Sequence, residues 1–363
     1  MNSWIKGKLS LIHLFWALII LLVGLLLIEQ TKSTIQTPYY NEQIQAAQLM
    51  KICLETIKEE RLKRNIPLDI ELDPNQTGII GKEYTQLTTT LGNLVAKRTS
   101  TNPAFAALLV KYFKGANLKK GDVIVIGASG SFPTLMVATL SATRVLELEP
   151  LIIYSIGSSE YGANIPGFTF VQMLDSLNKK NILPYTLLAV SMGGYLDQAQ
   201  GMFYPDSREI IEKIAQASGV SFINVDSIEE NIQQRMQLYR IASGGKPIKA
   251  FVNIGGATPN YGNTTASITY PNGLVINGPK IPDHPERGLI FEYQNLGIPV
   301  IHLLNIRGLA IKNGLPIDPI PLPEIGEGGI YLRTSYNKAF IFLVIGIEFL
   351  YLFWAFKSKR RFL

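Results

Sequence analysis

Gly-Asp-Val-Ile-Val-Ile-Gly-Ala-Ser-Gly-Ser-Phe-Pro, residues 121–133, is the stretch that decides the fold. The apolar run 123–126 is too short for a helix and rich in β-branched residues, which indicates a buried strand. The glycines and serines after it predict a tight loop, and Pro133 suits the first turn of a helix. The segment therefore predicts a strand–loop–helix unit.

The same alternation of short apolar runs and helical stretches continues toward the C-terminus. Further strands are predicted at 151–156, 185–190, 221–225, 249–254 and 299–304, and helices at 133–147, 167–178, 205–217 and 228–241. Strands that alternate with helices of this length indicate a parallel sheet covered on both faces. The predicted fold class is α/β, with a Rossmann-like, mostly parallel sheet and helices on both faces.

Two regions depart from this alternation. Before the sheet, amphipathic patterns predict helices at 39–65, 83–98 and 103–114. Within the sheet region, the stretch 255–298 is rich in Gly, Asn, Pro and Tyr, and residues 268–276 resemble a hairpin around Pro-Asn-Gly. A long insertion at this position is typical of a lid or a binding loop.

Two long apolar segments, 9–28 and 339–356, flank the α/β region. At about 1.5 Å rise per residue, each is long enough to cross a hydrocarbon core of about 30 Å. The first segment also fits a signal peptide, but it lacks a small-residue cleavage pattern after Leu27, so an uncleaved anchor is favoured. Because the short tails are basic, both termini are predicted to be cytoplasmic. The main domain is then extracytoplasmic, in a two-pass protein of the inner or plasma membrane.

These features define the domain boundaries. The predicted order is a cytoplasmic tail (1–8), a transmembrane helix (9–28), a helical lead-in packed on the main domain (29–120), the α/β domain (121–315) with its insertion (255–298), a Pro-rich linker (316–338), a transmembrane helix (339–356) and a basic cytoplasmic tail (357–363).

The charge and the few cysteines and histidines exclude several classes of protein. The chain has 34 Lys+Arg against 28 Asp+Glu, but six of the basic residues lie in the two tails, so the body is near neutral. Nucleic-acid binding needs a basic patch on the folded body, and no nucleic-acid partner is therefore predicted. The single cysteine, Cys53, lies on an apolar helical stripe and is interpreted as a core residue. With His284 and His302 far apart in the body, no metal site is predicted.

One ionisable residue lies inside an apolar segment. Glu348 falls near the middle of the second one, where a carboxyl group is costly and usually has a partner. Counted from the cytoplasmic ends, Trp16 lies at a similar depth, so its indole N–H is a candidate partner. Either the carboxyl is protonated in the seam between the two helices, or it contacts another membrane subunit.

Loops that follow the strands are the candidate ligand site, because open parallel sheets bind ligands beyond the carboxyl ends of their strands. These loops are rich in Gly and Ser, and any one of them alone is a weak signal. The candidate ligand-binding residues are Ser129, Gly130, Ser131, Ser158, Ser159, Glu160, Asn164, Gly193, Gly194, Gly255, Gly256 and Arg307.

The first of these loops, 127–133, is not a nucleotide-binding motif. It lacks the Gly-Lys-Ser/Thr ending of a P-loop, and Phe132-Pro133 stands where a dinucleotide loop needs glycine. No cofactor is therefore predicted. The exposed N–H groups of the loop suit a carboxylate or phosphate, or Ser131 simply caps the helix.

A serine hydrolase is the alternative interpretation of the same loop. Ser129 sits on a strand-to-helix turn, as in a nucleophile elbow, although Ser131 replaces the last glycine of that motif. Asp175 or Asp197, followed by His302, would complete a triad in the order Ser, Asp, His. His302 lies in an apolar run, however, and a hydrogen-bonded core histidine is the more common explanation for such a position.

Three motifs together resemble the poly-gamma-glutamate system protein family. They are Gly-Asp-Val-Ile-Val-Ile-Gly-Ala-Ser-Gly-Ser-Phe-Pro at 121–133, Ser-Ser-Glu-Tyr-Gly-Ala-Asn at 158–164 and Asn-Ile-Gly-Gly at 253–256. The resemblance implies a bacterial membrane component that works beside the poly-gamma-glutamate ligase and its integral-membrane partner. It implies an accessory role in the synthesis, export or anchoring of this anionic capsule polymer at the cell surface, and it carries over no catalytic residues.

Two hypotheses follow for the function. The first is a membrane-anchored accessory protein that binds the polymer or partner subunits outside the membrane, with Arg307, or Lys280 and Arg287, as candidate cations. The second is a serine-dependent amidase or transferase that acts on the polymer. Because the body is near neutral, polymer contacts are expected to be local rather than a bulk attraction.

Overall fold

The computed structural model describes residues 9–358, so the predicted tails at 1–8 and 359–363 lie outside the described residues. The helices are α1 Leu11–Gln30, α2 Tyr40–Lys63, α3 Leu94–Thr99, α4 Ala104–Gly115, α5 Pro133–Val145, α6 Phe170–Lys179, α7 Ser207–Ala217, α8 Ile228–Ala242, α9 Thr258–Tyr261, α10 Thr265–Ile268, α11 Leu289–Asn295, α12 Ile306–Lys312 and α13 Lys338–Ser358. The strands are β1 Ser33–Gln36, β2 Val123–Ser129, β3 Glu149–Ser155, β4 Ala189–Ser191, β5 Ser221–Ile223, β6 Ile248–Ile254, β7 Gly273–Val275, β8 Val300–Leu303 and β9 Leu332–Ser335. Of the described residues, 38–331 form one compact unit, and 9–37 with 332–358 form another.

Seven strands of the larger unit form one sheet in the order β5-β4-β3-β2-β6-β8-β7. All neighbours pair in parallel except β7, which is antiparallel to β8. The chain builds the sheet outward from β2 to β5 and then crosses to the other side of β2 to add β6. The predicted Rossmann-like α/β fold is therefore confirmed, and its strand order reverses between β2 and β6.

Alternating side chains of the strands face two different helical layers. Val125, Ile153 and Phe251 form a buried cluster with residues of α8 and α11, such as Ile232 and Tyr293. Because successive residues of a strand point to opposite faces, the residues between them, such as Ile124, Ile126 and Val252, face the other side, and they are fully buried too. Helices α2, α4, α5 and α6 pack together in a second layer.

The predicted helix at 83–98 is wrong over most of its length, because only α3 is helical there. The segment before it pairs with the loop that follows β3: the Gly81 N–H donates to the Tyr161 carbonyl (3.0 Å) and the Thr89 N–H to the Ser158 carbonyl (2.8 Å). These long-range hydrogen bonds override a helical pattern that the local sequence suggested. The segment is thereby held beside the carboxyl end of β3.

The predicted hairpin at 268–276 is also wrong. Its first residue is the last residue of α10, and its second half contains β7, which pairs with β8 rather than with residues 268–270. The Asn272 side chain explains this placement, since its Oδ1 accepts the N–H groups of Leu304 (3.0 Å) and Asn305 (2.7 Å). The Asn272 side chain therefore accepts hydrogen bonds from the backbone just beyond β8, and Asn272 does not form a hairpin turn.

The smaller unit combines a two-stranded ribbon with the two apolar helices. Strands β1 and β9 pair antiparallel, with Ser33 opposite Ser335. Helices α1 and α13 pack at Gly24, where an added Cβ would lie 2.4 Å from Val344 Cγ1. Both helices are long and apolar enough to cross a membrane.

Candidate functional site

A cleft of about 500 Å³ opens at the carboxyl ends of the strands. Residues that follow β2, β3, β4, β6 and β8 all line it, so it lies at the edge where parallel sheets bind ligands. The reversal of strand order between β2 and β6 separates their two following loops and leaves the space. Six of the residues predicted from sequence line this cleft: Ser129, Ser131, Ser159, Gly193, Gly194 and Gly256.

Ser129 presents a free hydroxyl in this cleft. The residue is buried at the end of β2, yet its Oγ has no hydrogen-bond partner among residues 9–358. Gly255 makes the space for it, since an added Cβ there would lie 2.4 Å from Ser129 Oγ, and its φ of 81° suits glycine. A buried hydroxyl without a partner costs free energy, so the position favours a ligand that accepts or donates a hydrogen bond.

The remaining predicted ligand-binding residues do not line the cleft. Arg307 is exposed on α12, and Gly255 lies behind Ser129. Asn164 binds the upstream segment, since its Oδ1 accepts the Lys82 N–H (2.9 Å) and its Nδ2 donates to Thr88 Oγ1 (3.0 Å). The others are Gly130, whose N–H donates to the Ser155 carbonyl, Ser158, whose Oγ donates to the Ser159 carbonyl, and Glu160, whose Oε2 accepts the Gly92 N–H.

Lys97 of α3 is the residue that the sequence analysis missed. Its side chain lines the cleft and is only 2% exposed. The Nζ donates to the Ser131 carbonyl, lies 2.7 Å from Ser159 Oγ and stands 4.2 Å from the centre of the Phe132 ring. Burial lowers the pKa of Lys97 from 10.5 to about 7, against a smaller opposing effect of the Glu160 charge. The cleft therefore holds an amine that changes its charge near neutral pH.

The cations predicted from sequence lie elsewhere. Arg287 pairs with Glu292 (2.7 Å) in a larger groove of about 1030 Å³ beside α8, and Lys280 is exposed. Lys246, in the same groove, pairs with Glu149 (2.6 Å). Because these charges already have partners, the groove offers less to a charged ligand than the smaller cleft, where the candidate site is placed.

The structure does not assemble the predicted triad of Ser129, Asp197 and His302. Among the described residues, Ser129 Oγ makes no hydrogen bond to a base. Asp175 instead pairs with Lys179 on the exposed face of α6 (2.6 Å). Asp197 instead lies 2.9 Å from the guanidinium of Arg235, with both side chains fully buried. The triad interpretation is therefore corrected: Asp197 is committed to an ion pair.

Arg235 is the centre of a buried polar network under the cleft. Its guanidinium also donates to Ser191 Oγ (2.6 Å), and its Nε donates to Asn231 Oδ1 (2.7 Å). Asp197 accepts the Gly193 N–H (2.7 Å) on its other oxygen. The network joins α8 to the ends of β3 and β4 and to the Gly193 loop, and it explains why that loop has a defined shape; its remaining members are Ser155 and Asn260.

His302 is a core histidine. Its Nδ1 lies 2.9 Å from Asn253 Nδ2, and its ring stacks on Tyr261 and meets Tyr270 edge-on. Burial lowers the pKa of His302 from 6.5 to about 4. The imidazole is thus neutral at pH 7 and held by a structural contact.

Acidification is expected to destabilise the protein through His302. In the unfolded chain the imidazole binds a proton below pH 6.5, whereas the folded chain resists protonation down to about pH 4. The unfolded state therefore binds more protons in this window, and stability falls as the pH falls, by about 3 kcal/mol in total. Urea unfolding across the window should show this slope, and His302→Gln should remove it. His284→Gln, at an exposed turn, is the matched control for the loss of a histidine.

In the pair of apolar helices, Glu348 is buried and Trp16 is exposed. Glu348 Oε2 has no hydrogen-bond partner within the described residues, so the predicted bond from the Trp16 indole is not formed. The ring of Trp354 instead faces His13, with 6.1 Å between the ring centres.

The comparisons with known proteins add no relative. No family model, no curated protein and no solved structure matches this chain. Among residues 9–358, no group of three or more His, Cys, Asp or Glu side chains is placed to hold a metal ion. The candidate site is therefore defined by its own geometry: a Ser- and Gly-lined cleft that contains the buried, unpartnered Ser129 hydroxyl and the buried Lys97 amine.

Proposed function

We propose that this chain is a membrane-anchored accessory component of poly-gamma-glutamate biosynthesis and export, and that it binds a carboxylate of the polymer in the cleft. The observation that carries the binding site is that the unpartnered Ser129 hydroxyl and the buried Lys97 amine line the same cleft. The resemblance of residues 121–133, 158–164 and 253–256 to the poly-gamma-glutamate system family supports the pathway.

The chemistry of the cleft suits a single carboxylate. Ser129 offers an O–H donor, and the amine of Lys97 becomes a better cation when an anion approaches it, because a nearby negative charge stabilises the protonated form. The cleft also adjoins the start of α5, a helix of 13 residues, whose first N–H groups and dipole favour an anion. Recognition of this kind is local, as the near-neutral charge of the body requires.

The terminal helices supply the membrane anchor in this proposal. The basic flanks at 6–8 and 357–361 support an orientation with both termini in the cytoplasm. The cleft then faces outward, where the polymer leaves the cell. The ligase and its integral-membrane partner would be the neighbouring subunits, and Glu348, with its free Oε2 in the α1–α13 pair, is a candidate contact to them.

Loss of the Ser129 hydroxyl is expected to weaken polymer binding. Isothermal titration of the full-length protein in detergent with a γ-linked glutamate oligomer tests this. A hydrogen bond to a charged group contributes about 1.5–3 kcal/mol, so Ser129→Ala should bind about 10- to 100-fold more weakly.

Ser207→Ala is the matched control for this measurement. Ser207 also has a buried Oγ without a partner, but it lies at the start of α7 and not in the cleft. Its variant should bind like the wild type. Absence of binding by the wild type, or equal affinities of all three proteins, would refute carboxylate binding at Ser129.

A further inference from the structure

Ser159, another serine that lines the cleft, is in a different chemical setting from Ser129. Ser159 Oγ lies 2.7 Å from Lys97 Nζ, and both residues line the cleft. Ser159 is 8% exposed, so it reaches the cleft, while the Lys97 amine behind it is shielded from water. A serine hydroxyl in hydrogen-bond contact with a shielded amine is the arrangement that a serine–lysine pair needs.

We propose that Ser159 is a nucleophile and Lys97 its general base, and that the cleft catalyses acyl transfer from an amide or ester of a carboxylic acid. This activity goes beyond the proposed binding function and does not depend on it. It also replaces the Ser129–His302 arrangement, which the structure does not form, with a pair that is in contact.

Ser159 and Lys97 together account for every proton that moves in the reaction. The neutral Lys97 amine takes the proton of the Ser159 hydroxyl while Oγ bonds to the carbonyl carbon. The resulting ammonium then gives this proton to the leaving nitrogen or oxygen as the bond to it breaks, which leaves an acyl ester on Ser159 and a neutral Lys97. Water, deprotonated by Lys97, attacks the ester, and the proton returns to Ser159, which releases the carboxylic acid. An amine in place of water gives a new amide.

Hydrogen bonds from neighbouring residues position Ser159 and Lys97 for this reaction. The Ser159 backbone is fixed on both sides, since its N–H donates to Ser131 Oγ (3.0 Å) and its carbonyl accepts from Ser158 Oγ (2.8 Å). Lys97 donates one proton to the Ser131 carbonyl, which leaves the lone pair of the neutral amine available for the Ser159 hydroxyl. The free hydroxyl of Ser129 lines the same cleft and is an available donor for the oxyanion of the tetrahedral intermediate.

The protonation state of Lys97 agrees with this role. Because burial brings the pKa of Lys97 to about 7, a large fraction of the amine is neutral at physiological pH. A general base works best with a pKa near the working pH. An ordinary exposed lysine, with a pKa of 10.5, would be almost fully protonated there.

Labelling by a fluorophosphonate probe tests the pair in the full-length protein. The wild type is expected to be labelled at Ser159, as located by peptide mass spectrometry, at a rate that rises with pH through about 7. Ser159→Ala should abolish the label. Lys97→Met and Lys97→Arg should slow labelling by about 100-fold or more and remove the pH dependence, because neither side chain acts as a base at this pH. Ser207→Ala, outside the cleft, should be labelled like the wild type.

Several outcomes would overturn the proposal. They are no labelling of the wild type, labelling at another serine that survives Ser159→Ala, and an unchanged rate in Lys97→Arg. Circular dichroism of each variant checks its fold, and the pH profile of the wild type tests the base even if a Lys97 variant fails to fold. Titration with the glutamate oligomer is a separate measurement, so loss of either function is recognised independently.

Discussion

Replacing Arg235 with methionine is expected to lower the free energy of unfolding by about 3–5 kcal/mol. Arg235 and Asp197 are both fully buried and lie 2.9 Å apart. Removing the guanidinium leaves the Asp197 carboxylate in the interior without its counter-charge, and it also removes the donors to Ser191 and Asn231. Few single substitutions in this domain should cost more. Urea unfolding of the full-length protein, followed by circular dichroism, measures the loss.

Two further variants isolate the ion pair. Arg240→Met lies on the exposed face of the same helix, α8, and should change the free energy of unfolding by less than about 0.5 kcal/mol. Asp197→Asn in the Arg235→Met background removes the buried charge and should restore part of the loss; asparagine also tolerates the φ of 61° at this position. A loss for Arg235→Met no greater than that for Arg240→Met would show that the pair does not stabilise the fold.

The stability gap between the wild type and Lys97→Met is expected to change by about 4 kcal/mol between about pH 7 and about pH 10. The folded protein releases the Lys97 proton at a pKa of about 7, and the unfolded chain releases it at 10.5. Between these values the unfolded state binds more protons, so the wild type gains stability as the pH rises. The Lys97→Met variant has no titrating group at this position, so the titration does not raise its stability.

The test is whether the wild type gains stability relative to Lys97→Met as the pH rises. Subtracting the variant from the wild type at each pH cancels the other titrating groups, which are the same in both proteins. Lys111→Met, at an exposed lysine of α4 outside the cleft, is the control. A gap that is constant with pH, or that moves against the wild type, would show that Lys97 is charged in the folded protein. A charged Lys97 would also remove it as a base for Ser159.

The sheet was predictable because most of its strands are short apolar runs, which is the sequence pattern of buried strands. All six predicted strands overlap observed strands, and those around β2, β6 and β8 are apolar runs that are almost wholly buried, whereas 185–190 overlaps β4 only at residues 189–190 and β5 at the sheet edge is partly exposed. The order in which they lie side by side follows from crossover rules rather than from any residue. The fold class was therefore readable from local sequence.

The site was only partly predictable. Serines and glycines after strands pointed to the correct edge of the sheet, but Lys97 lies on a short helix far from those loops in sequence. It was included in a predicted helix at 83–98, and nothing in Leu-Val-Ala-Lys-Arg-Thr distinguishes it from a solvated lysine. Its role depends on the pairing of residues 81–90 with the loop after β3, which is a tertiary contact. Asp197 and His302 fit the alternative triad by chain order alone, since the sequence does not reveal their buried partners, Arg235 and Asn253.

The two strands of the β1–β9 ribbon are synthesised at widely separated times. Ser33 leaves the ribosome early, and its partner Ser335 is 302 residues behind it. At about 5–20 residues per second, the first strand waits roughly 15–60 s for the second. During this time β1 is an unpaired edge, able to pair with a strand of another nascent chain. Its length of four residues limits that hazard, and the ribbon can form only after β9 has been synthesised.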